Sequence, residues 1–453
     1  MLKLKIRCFF FKHRIFFFAY STLHFFVISN YLGIILRFLY TFLFYLFLPL
    51  VLLRLLWRGL RAPAYWQRWL ERFGFCPPLA VQKTVWLHAV SMGEVQAAVP
   101  LIKILQSRFP SILVTTMTPT GSQRVREVFG DSVLHVYLPY DLPGAVSRFL
   151  RRTKPCLLIL METELWPNLL FACKQRKIPV ILANARLSAN SAAGYQRIAG
   201  LTREMLGSVA AIAAQTELDA GRFVGLNIDK TKVHVTGSIK FDSRLPADFA
   251  ETALALRRQW GIERRVWIAA STHDGEEEVV LDAFSSLKQD IKDLVLLLVP
   301  RHPERFNRIA ALCEQRGFIV ARRSKGDVNT KTEIYLGDTM GDLAFLYAAC
   351  DVAFVGGSLV PIGGHNLLEP AAVGLPVIMG PHTFECEEIC RRLLEAEAAQ
   401  RVSDTEQLVQ AVKMYLTDTK LQRKTGEKGR LFVQRNRGAL ERLLTIVTST
   451  LSS

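Results

Sequence analysis

From Thr84 to Met379 the chain alternates short apolar runs with stretches of helical spacing, and nothing else in it constrains the fold as strongly. The first series of runs is TVWLHAV, ILVTTMT, VLHVYLP, CLLILM, PVILAN, AIAAQ and VHVTGS. Apolar runs that stop at turn residues and are separated by helices read as buried parallel strands covered on both faces. The polar stretch Lys240–Gly261 interrupts the series as a linker leading into a helix, and the pattern restarts with VWIAAS, LVLLLVP, EIYLGD, VAFVGG and PVIMG. At 453 residues the chain exceeds one ordinary core. The sequence therefore predicts an α/β protein of two Rossmann-like halves. Ligands of such sheets bind beyond the carboxyl ends of the strands, so the polar residues just after each run are the ones to read.

The most distinctive of these segments is GGSLVPIGGHNLLEPAAVGLPVIMGP, residues 356–381. Its glycines at 356, 357, 363 and 364 allow backbone to approach a ligand. Asn366 followed by Glu369 fits a helix cap, with Pro370 in the first turn and Gly374 at the close. Such a turn aims backbone N–H groups and a helix N-terminus at an anion, typically phosphate. An ordinary βα turn is the plain alternative.

In the first half, Ser91-Met-Gly-Glu94 follows TVWLHAV, and Glu162-Thr-Glu164 follows CLLILM. A carboxylate at a strand end fits a general base, although standing alone such a glutamate more often complements a helix N-terminus. Two carboxylates two residues apart at a strand end favour site chemistry, with Glu164 alternatively a cap for the helix entered at Pro167, and Lys240, after VHVTGS, is either solvated or facing a phosphate. In the second half the strand ends carry Ser271-Thr-His273, Arg301-His302 and Asp338-Thr-Met-Gly-Asp342. There is no Gly-x-Ser-x-Gly elbow, Walker A loop or NAD-type GxGxxG. The absence of an Asp-x-Asp pair disfavours a glycosyl transfer clamped by a divalent metal, and no cofactor is expected. Eight cysteines without a CxxC suggest a reduced setting; Cys386 and Cys390, four apart, read as incidental thiols rather than a metal site.

The net charge of +17 is concentrated at the N-terminus: residues 1–72 hold eleven Lys/Arg and a single acid, Glu71. That polarisation, with no zinc-finger, RRM or KH pattern, points to an anionic membrane surface and not to nucleic acid. Within residues 31–57 the run from Phe38 to Leu53 has no charge and is long enough, with its flanks, for one tilted span or for an interfacial segment. A shorter apolar run lies at 15–28, and WRGLRAPAYWQRWLER at 57–72 reads as an interfacial helix of tryptophans among arginines.

Nine strand-end words together resemble the Kdo (3-deoxy-D-manno-octulosonic acid) transferases of lipopolysaccharide assembly. They are HAVSMGE (88–94), TTMTPTG (115–121), METELWPN (161–168), ANARLS (183–188), VTGSIKFD (235–242), STHDGEE (271–277), VPRHPERF (299–306), GDTMGDL (337–343) and GGHNLLEP (363–370). The resemblance covers the chain from about residue 36 onward. It implies a GT-B fold, two Rossmann-like domains facing a cleft behind an N-terminal membrane-anchoring helix. The corresponding divisions are 1–60 for extension and anchor, 61–240 for the acceptor domain and 241–453 for the donor domain. It further implies transfer of Kdo from CMP-Kdo to a tetraacylated lipid A precursor at the cytoplasmic face of the inner membrane. By the same resemblance Glu94 is the base, and Glu162 and Lys240 support the transition state. CMP contacts fall on Pro300, Arg301, Met340, Gly341, Asp342, Asn366, Leu367, Leu368 and Glu369. Asp342 stands where the family often has Glu, and residues 1–33 have no counterpart in the common pattern. A UDP-sugar transferase of the same fold would not be expected to share METELWPN or VPRHPERF, and a non-catalytic nucleotide-sugar binder would not be expected to keep Glu94.

Overall fold

The structure, a computed structural model, describes residues 32–60, 62–79, 83–242, 249–326 and 329–452. The apolar run at 15–28 lies outside the described residues. Two compact units are formed, one from residues 1–242 with 438–453 and the other from 243–437.

The first unit holds a seven-stranded parallel sheet. Its strands are β1 (Thr84–His88), β2 (Ser111–Thr116), β3 (Leu134–Tyr137), β4 (Pro155–Met161), β5 (Val180–Ala185), β6 (Ala211–Ala214) and β7 (Val233–Val235), in the order β3-β2-β1-β4-β5-β6-β7. Every residue of β1, β2, β5 and β6 is buried, which is why these strands read as continuous apolar runs rather than alternating ones. Alternate side chains still serve opposite faces: Trp86, Leu158 and Leu160 pack in one core, Val85, Leu87, Leu157 and Ile159 in the other. Strand order reverses between β1 and β4, which pair directly. That switch point opens a crevice at their carboxyl ends.

The second unit repeats the plan with β8 (Arg265–Thr272), β9 (Leu294–Pro300), β10 (Val320–Arg322), β11 (Ile334–Leu336), β12 (Val352–Val355), β13 (Val377–Met379) and β14 (Ala399–Arg401). The order is β10-β11-β9-β8-β12-β13-β14, so the switch point falls between β8 and β12. Both units are doubly wound, as a GT-B-like fold requires. The sequence reading has no counterpart for β10 and β14: each is a three-residue strand at a sheet edge, too short and polar to stand out as an apolar run.

The expected donor domain of 241–453 differs from the observed unit at its far end. Helix Ala439–Ser452 buries Ala439, Leu443, Leu444 and Val447 against the core of the first unit. The backbone N–H groups of Gly438 and Leu440 donate to the Asp242 carboxylate at 2.6 and 2.5 Å, and Arg442 Nε donates to the Thr236 carbonyl. The chain thus crosses between units twice, near 242 and near 437.

A 29-residue helix, α1 (Leu32–Leu60), carries the apolar run and is long and apolar enough to cross a membrane. The interfacial helix expected over 57–72 is not formed. α1 ends at Leu60, and short 3₁₀ turns follow at Pro63–Trp66 and Trp69–Phe73. Arg68 and Arg72 turn inward instead of facing lipid. Arg68 pairs with Glu71 and reaches the His135 carbonyl at 2.7 Å, while Arg72 is buried over the Tyr137 ring.

Candidate active site

In the first unit, the adjacency of β1 and β4 brings the words SMGE and METE to one crevice. Ser91 caps helix Met92–Arg108, its Oγ accepting from Glu94 N. The Glu94 carboxylate folds back, accepting from Val90 N at 2.8 Å and from Ser91 Oγ at 2.9 Å. This is a capping box in which the glutamate serves the backbone N–H before the cap residue. Glu94 thus sits in the first turn of the helix and also serves its cap. Burial raises Glu94 above the ordinary carboxylate value, and the charge of Glu162 adds to the rise against those two hydrogen bonds. A carboxylate so disposed holds protons more readily than one in water.

Glu162, just past β4, takes the left-handed conformation at φ 58°. Its backbone N–H donates to the Ala183 carbonyl at 2.8 Å, which continues the sheet past the turn. Asn184 and Ser271 share the left-handed conformation at the ends of β5 and β8. For residues with a Cβ this costs of order 1–3 kcal/mol each and is seen where backbone is bent to present a side chain. Lys240, in a single turn after β7, brings Nζ to 3.9 Å from Glu162 Oε1. The turn is held by Ile239, buried in the core, whose N–H donates to Asn184 Oδ1. Glu94, Glu162 and Lys240 are thus gathered by three strand ends of one sheet.

Glu164 joins them, and it does not cap the helix Pro167–Gln175, which has no side-chain cap. Burial together with the charges of Glu94 and Glu162 pushes it up to about 7. The first unit accordingly presents three interacting carboxylates and one lysine.

In the second unit, the N–H groups of residues 357–359 in the glycine-rich turn are not open to a ligand as expected. The Glu276 carboxylate, fully buried, takes them: Oε2 accepts from Gly357 N at 2.7 Å and His273 N at 2.9 Å, Oε1 from Ser358 N at 3.0 Å and Leu359 N at 2.9 Å. A Cβ on Gly356 would lie within 2.8 Å of Glu276 Oε2 and Thr272 Cα, so glycine is required for this closure. Glu276 is the anion the turn was built around. Its signal in the sequence was the acidic start of the helix after STHDG. Replacing Glu276 with Gln puts an NH₂ group opposite backbone donors. We expect the 356–359 turn to lose about 1–3 kcal/mol, measured as faster amide hydrogen exchange across that segment.

The helix predicted at Asn366 is five residues, Leu368–Ala372, and Asn366 Oδ1 already accepts from Leu368 N at 3.1 Å. Leu367 and Leu368 are buried. Asn366 Nδ2 donates to Glu369 Oε1 at 3.0 Å; burial raises the Glu369 carboxyl, and Arg301 works against that rise. Pro300 ends β9, and Arg301 N donates to the Thr272 carbonyl, tying the ends of β8 and β9 together. Met340 is largely exposed, Gly341 has φ 93°, and Asp342 accepts from Arg323 Nε at 2.8 Å and Thr339 Oγ1 at 2.9 Å. Asp342 is therefore fixed by an ion pair at the rim.

Three imidazoles meet at the β8/β12 switch point, an arrangement the separate words STH, RH and GGH did not reveal. His273 Nε2 and His365 Nε2 are 2.8 Å apart, so one donates and the other accepts, and the His302 ring stands 5.2 Å from that of His273. Burial and the Arg301 guanidinium push His365 down to about 4; burial, then His302 and Arg305, lower His273. A group of imidazoles and arginines at a strand crevice suits an anionic ligand. Among the described residues no three or more His, Cys, Asp or Glu side chains gather as a metal set.

The model of the family described as 3-Deoxy-D-manno-octulosonic-acid transferase (kdotransferase) matches residues 67–243, and that of Glycosyl transferases group 1 matches 277–432. The chain is similar to a 3-deoxy-D-manno-octulosonic acid transferase of Haemophilus influenzae at 44% identity over 91% of this chain and 98% of that one. A crystal structure of the C-terminal CMP-Kdo binding domain of WaaA from Acinetobacter baumannii aligns at 35% identity, over 42% of this chain and 100% of that one, with a TM-score of 0.40. UDP-GlcNAc 2-epimerase from Neisseria meningitidis, bound to UDP-GlcNAc, matches in fold alone, with a TM-score of 0.54 at 13% identity over 81% of this chain and 100% of that one. The near-full-length relationship to the Haemophilus enzyme and the family match across the unit that carries Glu94, Glu162 and Lys240 lead to one conclusion: the chain belongs to the 3-deoxy-D-manno-octulosonic acid transferase family of glycosyltransferases.

Proposed function

We propose that this enzyme moves Kdo from CMP-Kdo to a tetraacylated lipid A precursor, lipid IVA, during lipopolysaccharide assembly at the cytoplasmic face of the inner membrane. The observation that carries the reading is the set of Glu94, Glu162 and Lys240 at the carboxyl edge of one sheet, in a chain of this family. Glu94 takes the proton of the acceptor hydroxyl as its oxygen bonds to the anomeric carbon of Kdo. The bond from that carbon to the phosphate oxygen breaks, and CMP leaves with the electron pair. Lys240, held near Glu162, meets charge that develops in the transition state. The nucleotide is held by the second unit through Pro300, Arg301, the 340–342 turn and residues 366–369.

The direct test is incubation of membranes containing the enzyme with CMP-Kdo and lipid IVA, read by mass spectrometry. A gain of one or more Kdo masses on the lipid is expected. Transfer to a different lipid with lipid IVA unchanged would replace the acceptor, and CMP-Kdo left intact would end the reading.

The carboxylate cluster also sets the pH dependence. A base must be ionised, and Glu94 is raised by burial and by Glu162. The acid limb of kcat/KM is therefore expected above the ordinary carboxylate range. Removing the Glu162 charge in Glu162→Gln lowers the pKa of Glu94, so the limb should move to lower pH even as the rate falls. A pH–rate series on both proteins reads the shift.

A further inference from the structure

α1 is apolar enough to span a bilayer, yet one of its faces is occupied along almost its whole length by the first unit. At Gly33 a Cβ would stand 2.7 Å from the Gly200 carbonyl, so the helices touch backbone to backbone. Arg37 pairs with Glu204 at 3.1 Å and lies over the Phe171 ring. Thr41 bonds to Asn168. Phe44, Leu48, Val51 and Leu52 pack on the cluster of Tyr140, Leu142 and Ala145. Leu55 is buried, and Trp66 folds back over Gly59, its indole donating to the Leu56 carbonyl. These positions recur every three or four residues, one stripe of a helix. From Gly33 to Gly59 the stripe runs about 39 Å at 1.5 Å per residue.

The opposite stripe is the reverse in character. Ile35, Phe38, Phe42, Leu46, Leu50, Leu53 and Trp57 are all more than half exposed. No charge lies between Phe38 and Leu53, and the exposed Arg54 and Arg58 follow at the end. Apolar side chains closed by a tryptophan and arginines suit the boundary between acyl chains and anionic headgroups.

We infer that α1 does not cross the bilayer but lies in the plane of its surface, docked on the first unit by one stripe and sunk into lipid by the other. A docked helix standing across the membrane would carry helices 143–153, 167–175 and 199–207 into hydrocarbon with it. Those helices bear Arg148, Arg151, Arg152, Lys174 and Arg203. Of these Arg151 and Lys174 are exposed, and exposed charges in hydrocarbon are strongly disfavoured.

The inference rests on the proposed membrane-borne acceptor and gives it a route. Tyr140 lies just past β3, and Asn168 opens the helix after β4, so α1 is held at the sheet's carboxyl edge, the edge that carries Glu94 and Glu162. A bilayer under α1 brings lipid headgroups to that edge, so an acceptor hydroxyl reaches the base while its acyl chains stay in the membrane.

The test uses the full chain in vesicles of phosphatidylethanolamine and phosphatidylglycerol, with a nitroxide-bearing non-canonical residue placed at Ile35, Phe42, Leu46, Leu53 or Trp57. Accessibility to oxygen and to a water-soluble nickel chelate gives the depth of each. All five positions are expected at one shallow depth, about 5–10 Å below the headgroups. A profile deepest at Leu46, with Ile35 and Trp57 about 33 Å apart along the membrane normal, would overturn the in-plane arrangement and leave membrane attachment standing. Full access to the nickel chelate at every position would overturn both, while transfer to lipid IVA measured on the same preparations reports the proposed reaction separately.

Discussion

Glu94→Gln should lower turnover by about 10²–10⁴-fold, the usual worth of a general base, with CMP binding and folding unchanged. The substitution separates two roles that the geometry gives to one carboxylate. As a cap, Glu94 accepts from Val90 N and Ser91 Oγ. Glutamine keeps both contacts: its carbonyl oxygen accepts the Val90 N–H, and its amide donates to the Ser91 hydroxyl, which can turn to accept. As a base, glutamine is useless, because it takes no proton at working pH. Glu94→Ala loses both roles, and its missing cap should cost about 0.5–2 kcal/mol of stability. Thermal unfolding, CMP titration and single-turnover kinetics on the two variants divide the contributions. Near-normal turnover in the glutamine variant, with instability in the alanine one, would make Glu94 a cap alone and pass the proton to another group. Glu164, pushed up to about 7 beside it, would be the next residue to test.

Much of this arrangement could be read in advance from residue order, because parallel doubly wound sheets put every strand's following loop on one edge. TVWLHAV and CLLILM read as strands, which places SMGE and METE on that edge. Their adjacency depended on strand order, in which β4 sits beside β1 and β5 to β7 continue outward from it. Apolar periodicity does not encode that order. The same limit hid the histidines: 92 residues separate His273 from His365, and only the pairing of β8 with β12 makes them neighbours. The glycine-rich turn departs from its expectation at 357–359 for a different reason. The glycines predict N–H groups turned toward an anion, but at 357–359 that anion is a buried carboxylate from a neighbouring helix, and in the sequence Glu276 looks like any acid complementing a helix start. Arg68 and Arg72 face inward although tryptophans among arginines look interfacial whichever way they point. Glu71, His135 and Tyr137 supply an inward set of partners that the local sequence does not show. Position in the chain places the C-terminal helix with the second unit, whereas its apolar stripe and the Asp242 carboxylate attach it to the first.

Lys240→Ala should lower turnover by about 10²–10³-fold, comparable to the loss of one preorganised donor to a developing charge, and should change CMP affinity far less. The lysine is well placed for a task confined to the transition state. Its turn is anchored by Ile239 in the core and by Ser238 Oγ, which accepts from Lys240 N, while Nζ remains partly exposed at 3.9 Å from Glu162. At that distance and exposure the ion pair itself contributes little stability, so the variant should fold normally. Lys240→Arg keeps the charge and should recover part of the rate, and Glu162→Gln should weaken the positioning without removing the cation. A fall in CMP affinity equal to the fall in turnover would instead make Lys240 a ground-state binding residue. The same assay decides what carries the charge of the departing CMP. The sequence has no Asp-x-Asp pair, and Lys240 and Arg301 each place a cation just beyond a strand. Activity should therefore persist in excess EDTA. Abolition by EDTA with rescue by Mg²⁺ or Mn²⁺ would assign that charge to a metal, and Lys240→Ala would then be expected to cost little in saturating metal.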